Sequence, residues 1–131
     1  MARVLALVPD LLFGSRLQGS LTAAGHELEL LGSESLLRRR LGDREAPSAG
    51  LLIVDLTDAD LDGAAIVDSL AGDGLLGGMH TLGFYAHVEP ATRKRAERAG
   101  FDLVVPRSRI AREGPELVAR IAAGAATARE G

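Results

Sequence analysis

The sequence predicts a three-layer α/β sandwich, in which a parallel sheet lies between two layers of helices. Two observations lead to this prediction. Leu51-Leu52-Ile53-Val54 is an uninterrupted run of large aliphatic residues, which is typical of a strand buried on both faces. Strand-like apolar runs also alternate with helix-like segments along the chain, and this order produces right-handed crossovers and parallel pairing.

Five segments carry strand patterns. Residues 4–8 form the first apolar run, which ends at Pro9 and Asp10. Residues 27–31 alternate between charged and apolar side chains, and this pattern predicts a half-exposed strand. The remaining predicted strands are residues 51–54, 81–86 and 101–105. For five parallel strands with this connectivity, we expect the order 2-1-3-4-5.

Five further segments have helical spacing. The first helix has Phe13 and Leu21 on one face, and Gly25 follows its end. Pro90 is expected to open the fourth helix, because proline is favoured in a first turn. We expect the tail from Ala125 to fray. The predicted helices are residues 13–24, 36–41, 61–70, 90–99 and 117–122.

The composition is that of a single folded domain spanning residues 1–131. Hydrophobic residues make up 47% of the chain and charged residues 25%, which are ordinary values for a globular protein. The net charge of −3 argues against nucleic-acid binding over the whole surface. The chain has no cysteine, which excludes disulfides and thiolate metal sites. No apolar run reaches the length of a signal peptide or a membrane span, so we expect a cytoplasmic protein.

Polar side chains gather where the predicted strands end. Asp10 and Asp55 follow neighbouring strands at the switch point of the sheet, where open α/β sheets hold their sites. A carboxylate at a buried strand end needs a partner, and Arg107 after the fifth strand can supply a bidentate one. We therefore expect an Asp55–Arg107 ion pair. We expect Asp10 to cap the first helix rather than to bind a metal ion.

Two other features do not point to catalysis. Gly72-Asp73-Gly74-Leu75-Leu76-Gly77 matches the GxGxxG pattern, but it follows a helix and precedes a strand, whereas the dinucleotide-binding version follows a strand. We predict a flexible loop there. For His87 we expect a surface or capping role, because no nucleophile accompanies it.

Over nearly its whole length the chain resembles the bacterial response-regulator receiver domain. Asp55-Leu56 followed by Asp60-Leu61-Asp62-Gly63 is similar to the phosphoacceptor aspartate and the loop after it. Tyr85-Ala86-His87 falls where receivers carry Thr or Ser followed by Ala, and Arg107 falls where they carry an invariant Lys. The resemblance implies a flavodoxin-like fold, with Asp55 equivalent to the phosphoacceptor and with Tyr85 and Arg107 equivalent to switch residues.

The chain departs from the receiver pattern at the positions that bind magnesium and transmit the switch. Receivers hold magnesium with two acidic residues directly after the first strand, and Val8 and Pro9 stand there. Tyr85 replaces the small hydroxyl residue, and Val104 replaces the aromatic residue that moves with it. The resemblance therefore implies a pseudo-receiver. It needs no cofactor, and Asp10 and Asp55 are the candidate magnesium ligands only if Asp55 is phosphorylated.

The hypothesis we favour is a stand-alone module for protein interaction and signal transduction, without an efficient phosphorylation switch and without enzymatic activity. The expected partner is an acidic protein or a second copy, bound near the fourth helix, fifth strand and fifth helix. Nucleic acid is disfavoured because no aromatic residues are interleaved with the basic ones. A solvated charged face is the plainer interpretation of the same residues. The candidate surface residues are Arg93, Lys94, Arg95, Arg98 and Arg109.

Two alternatives stay open at the level of sequence. The first is a phosphorylatable receiver, in which Asp55 is a magnesium-dependent phosphoacceptor. The second is a small flavodoxin-like protein that binds a ligand, although the segment after the first strand lacks the hydroxyl residues expected of a phosphate-binding loop.

Overall fold

Strands and helices alternate along the whole described chain, which is residues 2–86 and 90–123 of a computed structural model. The strands are β1 (Arg3–Leu7), β2 (Glu27–Leu31), β3 (Leu51–Asp55), β4 (His80–Tyr85) and β5 (Leu103–Pro106). The helices are α1 (Leu11–Ala23), α2 (Glu34–Gly42), α3 (Gly63–Gly72), α4 (Pro90–Arg98) and α5 (Arg107–Ala122).

The five strands form one parallel sheet in the order β2-β1-β3-β4-β5, as predicted. All residues of β3 are buried, which fits its uninterrupted aliphatic run. The edge strand β2 exposes Glu27 and Glu29 and buries Leu28 and Leu31. The predicted fold class is therefore confirmed, and Asp55 lies at the end of a central strand.

Two apolar layers cover the sheet. On one side, α1 and α5 bury Leu21, Ile110 and Leu117 in a cluster that also contains Phe84 of β4. On the other side, a second cluster contains Leu37 of α2, Leu70 of α3 and Ala96 of α4. The helix layers thus fix the carboxyl ends of the strands, and the starts of the helices, at one edge of the sheet.

Several helix ends are those expected from the sequence. The Ser33 side chain accepts a hydrogen bond from the Leu36 amide and caps α2. Gly25 and Gly100 follow α1 and α4 with φ angles of 91° and 101°, a region that residues with a side chain rarely adopt.

Strand β5 begins later than predicted. Its first residue is Leu103 rather than Phe101, because the preceding residues still close the turn after α4. The Phe101 amide donates to the Ala96 carbonyl at 3.3 Å. The Asp102 carboxylate accepts the Thr81 amide at 2.8 Å, and the Asp102 amide donates to the Thr81 carbonyl at 3.0 Å, so Asp102 contacts β4 just before the strand begins.

Helix α5 begins earlier than predicted. The sequence places this helix at residues 117–122, whereas the structure has helix from Arg107 onward, with a kink at Glu113 (φ −123°, ψ 17°). Ile110 is fully buried and anchors the first segment. Pro115 inside α5 is typical of a helix start, which is why the sequence pattern misses the turns before it.

Three other expectations concern loops and tails. The chain between α3 and β4 is a loop, with Gly74 and Gly77 at φ 72° and 57°, which agrees with a glycine-rich connection rather than a dinucleotide site. His87 and the tail from Ala125 lie outside the described residues, so their predicted roles remain predictions. No helix in the described ranges is long and apolar enough to cross a membrane.

Candidate functional site

The candidate site lies at the edge of the sheet where β1, β3, β4 and β5 end. Asp55 is the last residue of β3, and Tyr85 is the last residue of β4. Asp10 is the N-cap of α1, and Arg107 is the first residue of α5. The parallel order of the strands therefore brings to one edge the four residues that the sequence singled out.

Asp55 is held by its own loop. Its exposed fraction is 3%, and its Oδ1 atom accepts the Thr57 amide at 2.7 Å and the Thr57 hydroxyl at 2.6 Å. Both bonds fix the orientation of the carboxylate. Its Oδ2 atom accepts no hydrogen bond from the residues that the structure describes.

The prediction of an Asp55–Arg107 ion pair is wrong. Arg107 donates instead to Asp10, with 3.1 Å between its Nη2 atom and Asp10 Oδ2. Its guanidinium lies 4.3 Å from the centroid of the Phe13 ring, which is a cation–π distance. Arg107 is the first residue of a helix rather than part of a strand end, so it sits beside the start of α1. Thr57 supplies the partner that Asp55 needs.

Asp10 caps α1, as predicted. Its Oδ1 atom accepts the Phe13 amide at 3.1 Å, and its Oδ2 atom accepts from Arg107. The Phe13 amide is the main cause, and Arg107 a further one, of a pKa of Asp10 below its ordinary value. Both carboxylate oxygens are thus engaged. A divalent cation at Asp10 would compete with Arg107 for this carboxylate.

Tyr85 belongs to the core rather than to an open surface. Its exposed fraction is 8%, and it lies in the apolar cluster that includes Ala96, Phe101 and Val104. Val104 is itself buried. Tyr85 is therefore a strand-end tyrosine packed in the core.

The carboxylates of the loop after β3 have local partners. The Asp58 side chain accepts the Asp60 amide at 2.8 Å. Asp62 caps α3 through the Ala65 amide and pairs with Arg95 at 2.6 Å, and this arginine is the main cause of its lowered pKa. Within residues 2–86 and 90–123, no three acidic or histidine side chains are arranged to hold a metal ion.

Most of the predicted basic surface is internally neutralised. Arg93 pairs with Glu97 at 3.6 Å, and Arg109 pairs with Glu113 at 3.8 Å. Arg95 is taken by Asp62. In the part of the chain that the structure describes, Lys94 and Arg98 are the members of this surface without an ion pair. Their positive charges are thus not balanced by an acidic side chain of the described residues.

Thr57 and Phe13 are the site residues that sequence reasoning missed. Thr57 stands two positions after Asp55, and this Asp-x-Thr spacing is the signal of a side chain that bonds its own backbone. Phe13 was assigned to the core. Its ring does meet the Phe84 ring with 5.0 Å between centroids, but it also contacts the Arg107 guanidinium. No pattern in the sequence indicates that second contact.

No family model and no curated protein matches the chain, whereas many solved structures do. A CheY-like receiver domain protein from Methanospirillum hungatei is 17% identical, with a TM-score of 0.79 over 100% of this chain and 99% of that one. The phosphorylated cyanobacterial phytochrome response regulator RcpA is 11% identical, with a TM-score of 0.80 over 97% and 98%. A protein from Burkholderia pseudomallei described as pilus assembly-related is 21% identical, with a TM-score of 0.75 over 97% and 93%. The chain therefore has the fold of a response-regulator receiver domain.

Proposed function

We propose that this chain is a signalling module that works by binding another protein and that lacks an efficient phosphorylation switch. Receiver domains generally interact with proteins, and they are generally not enzymes. The proposal therefore involves no catalysis by this chain. The proposed compartment is the cytoplasm, as expected from the sequence.

The observation that carries the proposal is the bond between Arg107 and Asp10 at 3.1 Å. A cation that recognises a phosphoryl group on Asp55 must be free to reach it, and Arg107 is held by a carboxylate and by the Phe13 ring. The same bond occupies Asp10, which is a candidate magnesium ligand. Transfer of a phosphoryl group to a carboxylate depends on such charge compensation, so an efficient reaction at Asp55 is disfavoured.

The packing of Tyr85 and Val104 supports the same conclusion. A switch of the receiver type needs a small hydroxyl side chain that moves toward the phosphoryl group and an aromatic side chain that moves with it. Tyr85 is large and packed in the core, and Val104 has no ring to rotate. Close-packed cores resist such rearrangement, so a signal generated at Asp55 would have no path through these two residues.

Amide NMR with magnesium and beryllofluoride tests this proposal. Beryllofluoride mimics a phosphoryl group on a carboxylate. We expect beryllofluoride to cause only small chemical-shift changes, confined to the loop that contains Asp55 and Thr57. The changes in Asp55→Asn should be of the same size. Large shifts that reach Tyr85 and Arg107 and disappear in Asp55→Asn would contradict it.

The proposed partner-binding surface centres on Lys94 and Arg98 of α4. Both are exposed and have no ion pair among the described residues, so an acidic protein surface can neutralise them without breaking an existing contact. Arg93, Arg95 and Arg109 would flank that contact while keeping their own acidic partners. A second copy of the chain is the other occupant that this surface allows.

A charge-reversal pair tests the surface. We expect Lys94→Glu/Arg98→Glu to reduce partner recovery in a pull-down by about tenfold, since rim charges steer association. Arg39→Glu/Arg44→Glu is the matched control, because both arginines are exposed and unpaired among the described residues and the change in net charge is equal. Equal loss in both variants would mean that only the overall charge matters. Light scattering of the same proteins reports whether a homodimer is involved.

One observation favours a second candidate function, phosphorylation at Asp55. The Oδ2 atom of Asp55 accepts no hydrogen bond from the described residues, so this oxygen is not engaged by them and could act as a nucleophile. RcpA, which has the same fold, is described in its phosphorylated form. Incubation with acetyl phosphate and magnesium, followed by mass spectrometry, separates the two functions. A phosphoryl adduct that is absent in Asp55→Asn would support this alternative.

A small-ligand function has no comparable support. A colourless purified protein with no thermal shift against flavins and nucleotides is the expected result.

A further inference from the structure

A cavity of about 460 Å³ lies at the edge of the sheet opposite to Asp55. Its walls are the loop that leads from α2 into β3 and the loop that leads from α3 into β4, so it lies where strands begin. The sites of open α/β sheets usually lie at the other edge, where the strands end. The cavity is therefore separate from the candidate site and from a flavodoxin-like ligand site. Its volume is in the range of pockets that hold small molecules.

The floor of this cavity is apolar. Leu5 of β1 lines it and is fully buried. Four partly exposed side chains that pack against the second apolar cluster line it as well: Leu41, Leu75, Leu76 and Met79. Covering partly exposed apolar side chains with an apolar ligand removes them from water, which is favourable. The floor therefore suits a ligand with an apolar body.

Both walls are held by hydrogen bonds within the protein. In one wall, Arg40 Nη2 donates to the Pro47 carbonyl at 2.6 Å and fastens the loop after α2. In the other wall, the Met79 amide donates to the Leu76 carbonyl at 3.0 Å and closes a turn. A site whose walls are already ordered avoids the entropy cost of ordering loops when a ligand binds.

Arg40 is the polar group of the cavity that is best placed to hold a ligand. Its side chain is only 12% exposed, and its Nε atom donates to Glu29 at 3.0 Å. Its Nη2 atom is used by Pro47, whereas both N–H groups of Nη1 donate to no described residue. A guanidinium fixed in this way is suited to a carboxylate oxygen, through a charge-assisted hydrogen bond. Two exposed residues of the rim, Asp43 and Arg44, have opposite charges, so recognition of a head group depends on Arg40.

Gly78 lines the cavity although the fold does not require a glycine there. Unlike Gly77, whose φ angle is 57°, Gly78 does not have a positive φ angle. A Cβ atom added at Gly78 would have no heavy atom within 4 Å. Neither the backbone conformation nor the packing therefore demands glycine at position 78. A larger side chain can be introduced there without a clash, and it would reduce the open space of the cavity.

We infer that this cavity binds a small aliphatic carboxylate. Its chain lies over the apolar floor, and its carboxylate accepts from Nη1 of Arg40. Glu29 offsets the charge of Arg40, so directed hydrogen bonds rather than net charge select the head group. Flavins and nucleotides, with their ring systems and phosphate groups, do not belong to this ligand class. No residue of the cavity belongs to the candidate site or to the α4 surface, so this binding is independent of the function proposed above.

An amide NMR titration with octanoate tests this site. We expect saturable chemical-shift changes at residues 41–49 and 75–79. Acetate lacks the apolar body, and octylammonium has a head group that cannot accept from Arg40, so neither should give saturable changes. Octanol has the same body with an uncharged head group. It should bind about tenfold more weakly, because charge-assisted hydrogen bonds are about twice as strong as neutral ones.

Two substitutions locate the ligand. Gly78→Leu should weaken octanoate binding about tenfold, because it fills space that the chain of the ligand needs. Gly19→Leu, at a position in α1 with open space around it, is the matched control and should leave binding unchanged. Arg40→Lys keeps the charge but loses the planar fork. It should reduce the preference for octanoate over octanol, a ratio that is measured within one variant. Circular dichroism checks the fold of each variant.

Other results would overturn this assignment. The absence of saturable changes at millimolar octanoate would show that the cavity does not bind this class of ligand. Equal binding of octanol or octylammonium would contradict the role of Arg40. Shift changes centred on the edge that contains Asp55, or octanoate binding that Gly78→Leu does not weaken, would place the ligand elsewhere.

Discussion

The guanidinium of Arg107 donates to the carboxylate of Asp10, with 3.1 Å between Nη2 and Oδ2. This contact joins the start of α5 to the start of α1 across 97 positions of sequence. It also separates Arg107 from Asp55, the carboxylate with which sequence spacing paired it. The edge of the sheet therefore contains two independent arrangements: Asp10 with Arg107 and Phe13, and Asp55 with Thr57.

Acid should weaken the contribution of Asp10 to stability. The Phe13 amide and Arg107 lower the pKa of Asp10 in the folded protein. A carboxyl group with a lowered folded-state pKa stabilises the fold above its unfolded pKa, and this contribution is lost as the pH falls through the folded value. Asparagine still caps a helix but does not ionise. We expect the urea midpoints of wild type and Asp10→Asn to differ at pH 7 and to converge as the pH falls through the folded-state pKa of Asp10.

A matched variant separates this effect from general acid denaturation. Asp62 also has a lowered pKa, caused first by Arg95, and its carboxylate lies on α3. The effect of Asp10→Asn should therefore be the same in the wild-type and Asp62→Asn backgrounds. A gap between wild type and Asp10→Asn that stays constant with pH would contradict the role of the ionised carboxylate.

The cation–π contact between Arg107 and Phe13 should be measurable as a coupling energy. The guanidinium lies 4.3 Å from the ring centroid, and contacts of this kind contribute about 0.5–1 kcal/mol at exposed sites. A double-mutant cycle of Phe13→Leu with Arg107→Ala, followed by urea unfolding, should return a coupling of about that size. The same cycle with Arg109→Ala should be additive. Additive behaviour in both cycles would show that the contact carries no energy.

Gly83 should not tolerate a side chain. A Cβ atom at this position would lie 2.8 Å from Leu56 Cδ1 and 3.0 Å from Phe101 Cε2. We expect Gly83→Ala to destabilise the protein by about 1–3 kcal/mol, as is typical of overpacking. Gly19→Ala is the control, because Gly19 lies inside α1 with open space around it. That change should stabilise by about 0.5–1 kcal/mol, since alanine favours helix. Thermal unfolding that moves both midpoints in the same direction would contradict this.

Gln18 should protect the edge of the sheet from association. The Leu28 carbonyl of the edge strand faces away from β1, and the Gln18 amide group donates to it at 2.9 Å. Glutamate at position 18 cannot donate when ionised, so Gln18→Glu uncovers this acceptor on an edge strand. We expect faster aggregation on mild heating, measured by light scattering. Ser20→Glu, an exposed position on the same helix, adds the same charge and should not accelerate it.

Thr57 should be required to hold Asp55 in the folded protein. Its amide and hydroxyl both donate to Asp55 Oδ1. Thr57→Val removes the hydroxyl while keeping the shape, and leaving a buried carboxylate short of a partner costs about 1–3 kcal/mol. Thr57→Ser should recover most of that loss. If serine and valine destabilise equally in urea unfolding, the hydroxyl is not the group that matters.

The fold could be predicted from sequence because its signals are local and repeated. The aliphatic run of β3, the alternation of β2 and the glycines after α1 and α4 each report on a few neighbouring residues. Together they leave one common sheet order for five alternating strands. The boundaries of β5 and α5 were less accurate, because Phe101 still closes the turn after α4 and because Pro115 resembles a helix start.

The contacts of the site could not be predicted in the same way. Sequence spacing indicated which residues reach the edge of the sheet, but not which pairs touch. Arg107 turned toward Asp10 because it begins a helix beside α1, and this depends on the packing of α5 rather than on any local pattern. Thr57 was overlooked because a threonine two residues after an aspartate is common in loops. The positions of the strand ends therefore predict neither the long-range Arg107–Asp10 pair nor the short-range bonds between Asp55 and Thr57.

The kink at Glu113 divides α5 into two segments that we expect to differ in their stability against local unfolding. Pro115 has no amide hydrogen, so the ladder of backbone bonds is interrupted just after the segment that carries Arg107. Local unfolding of that segment does not require the residues from Leu117 onward to unfold. Hydrogen–deuterium exchange should accordingly label the amides at 107–112 earlier than those at 117–121. The start of α5 would then open locally while the rest of the domain stays folded.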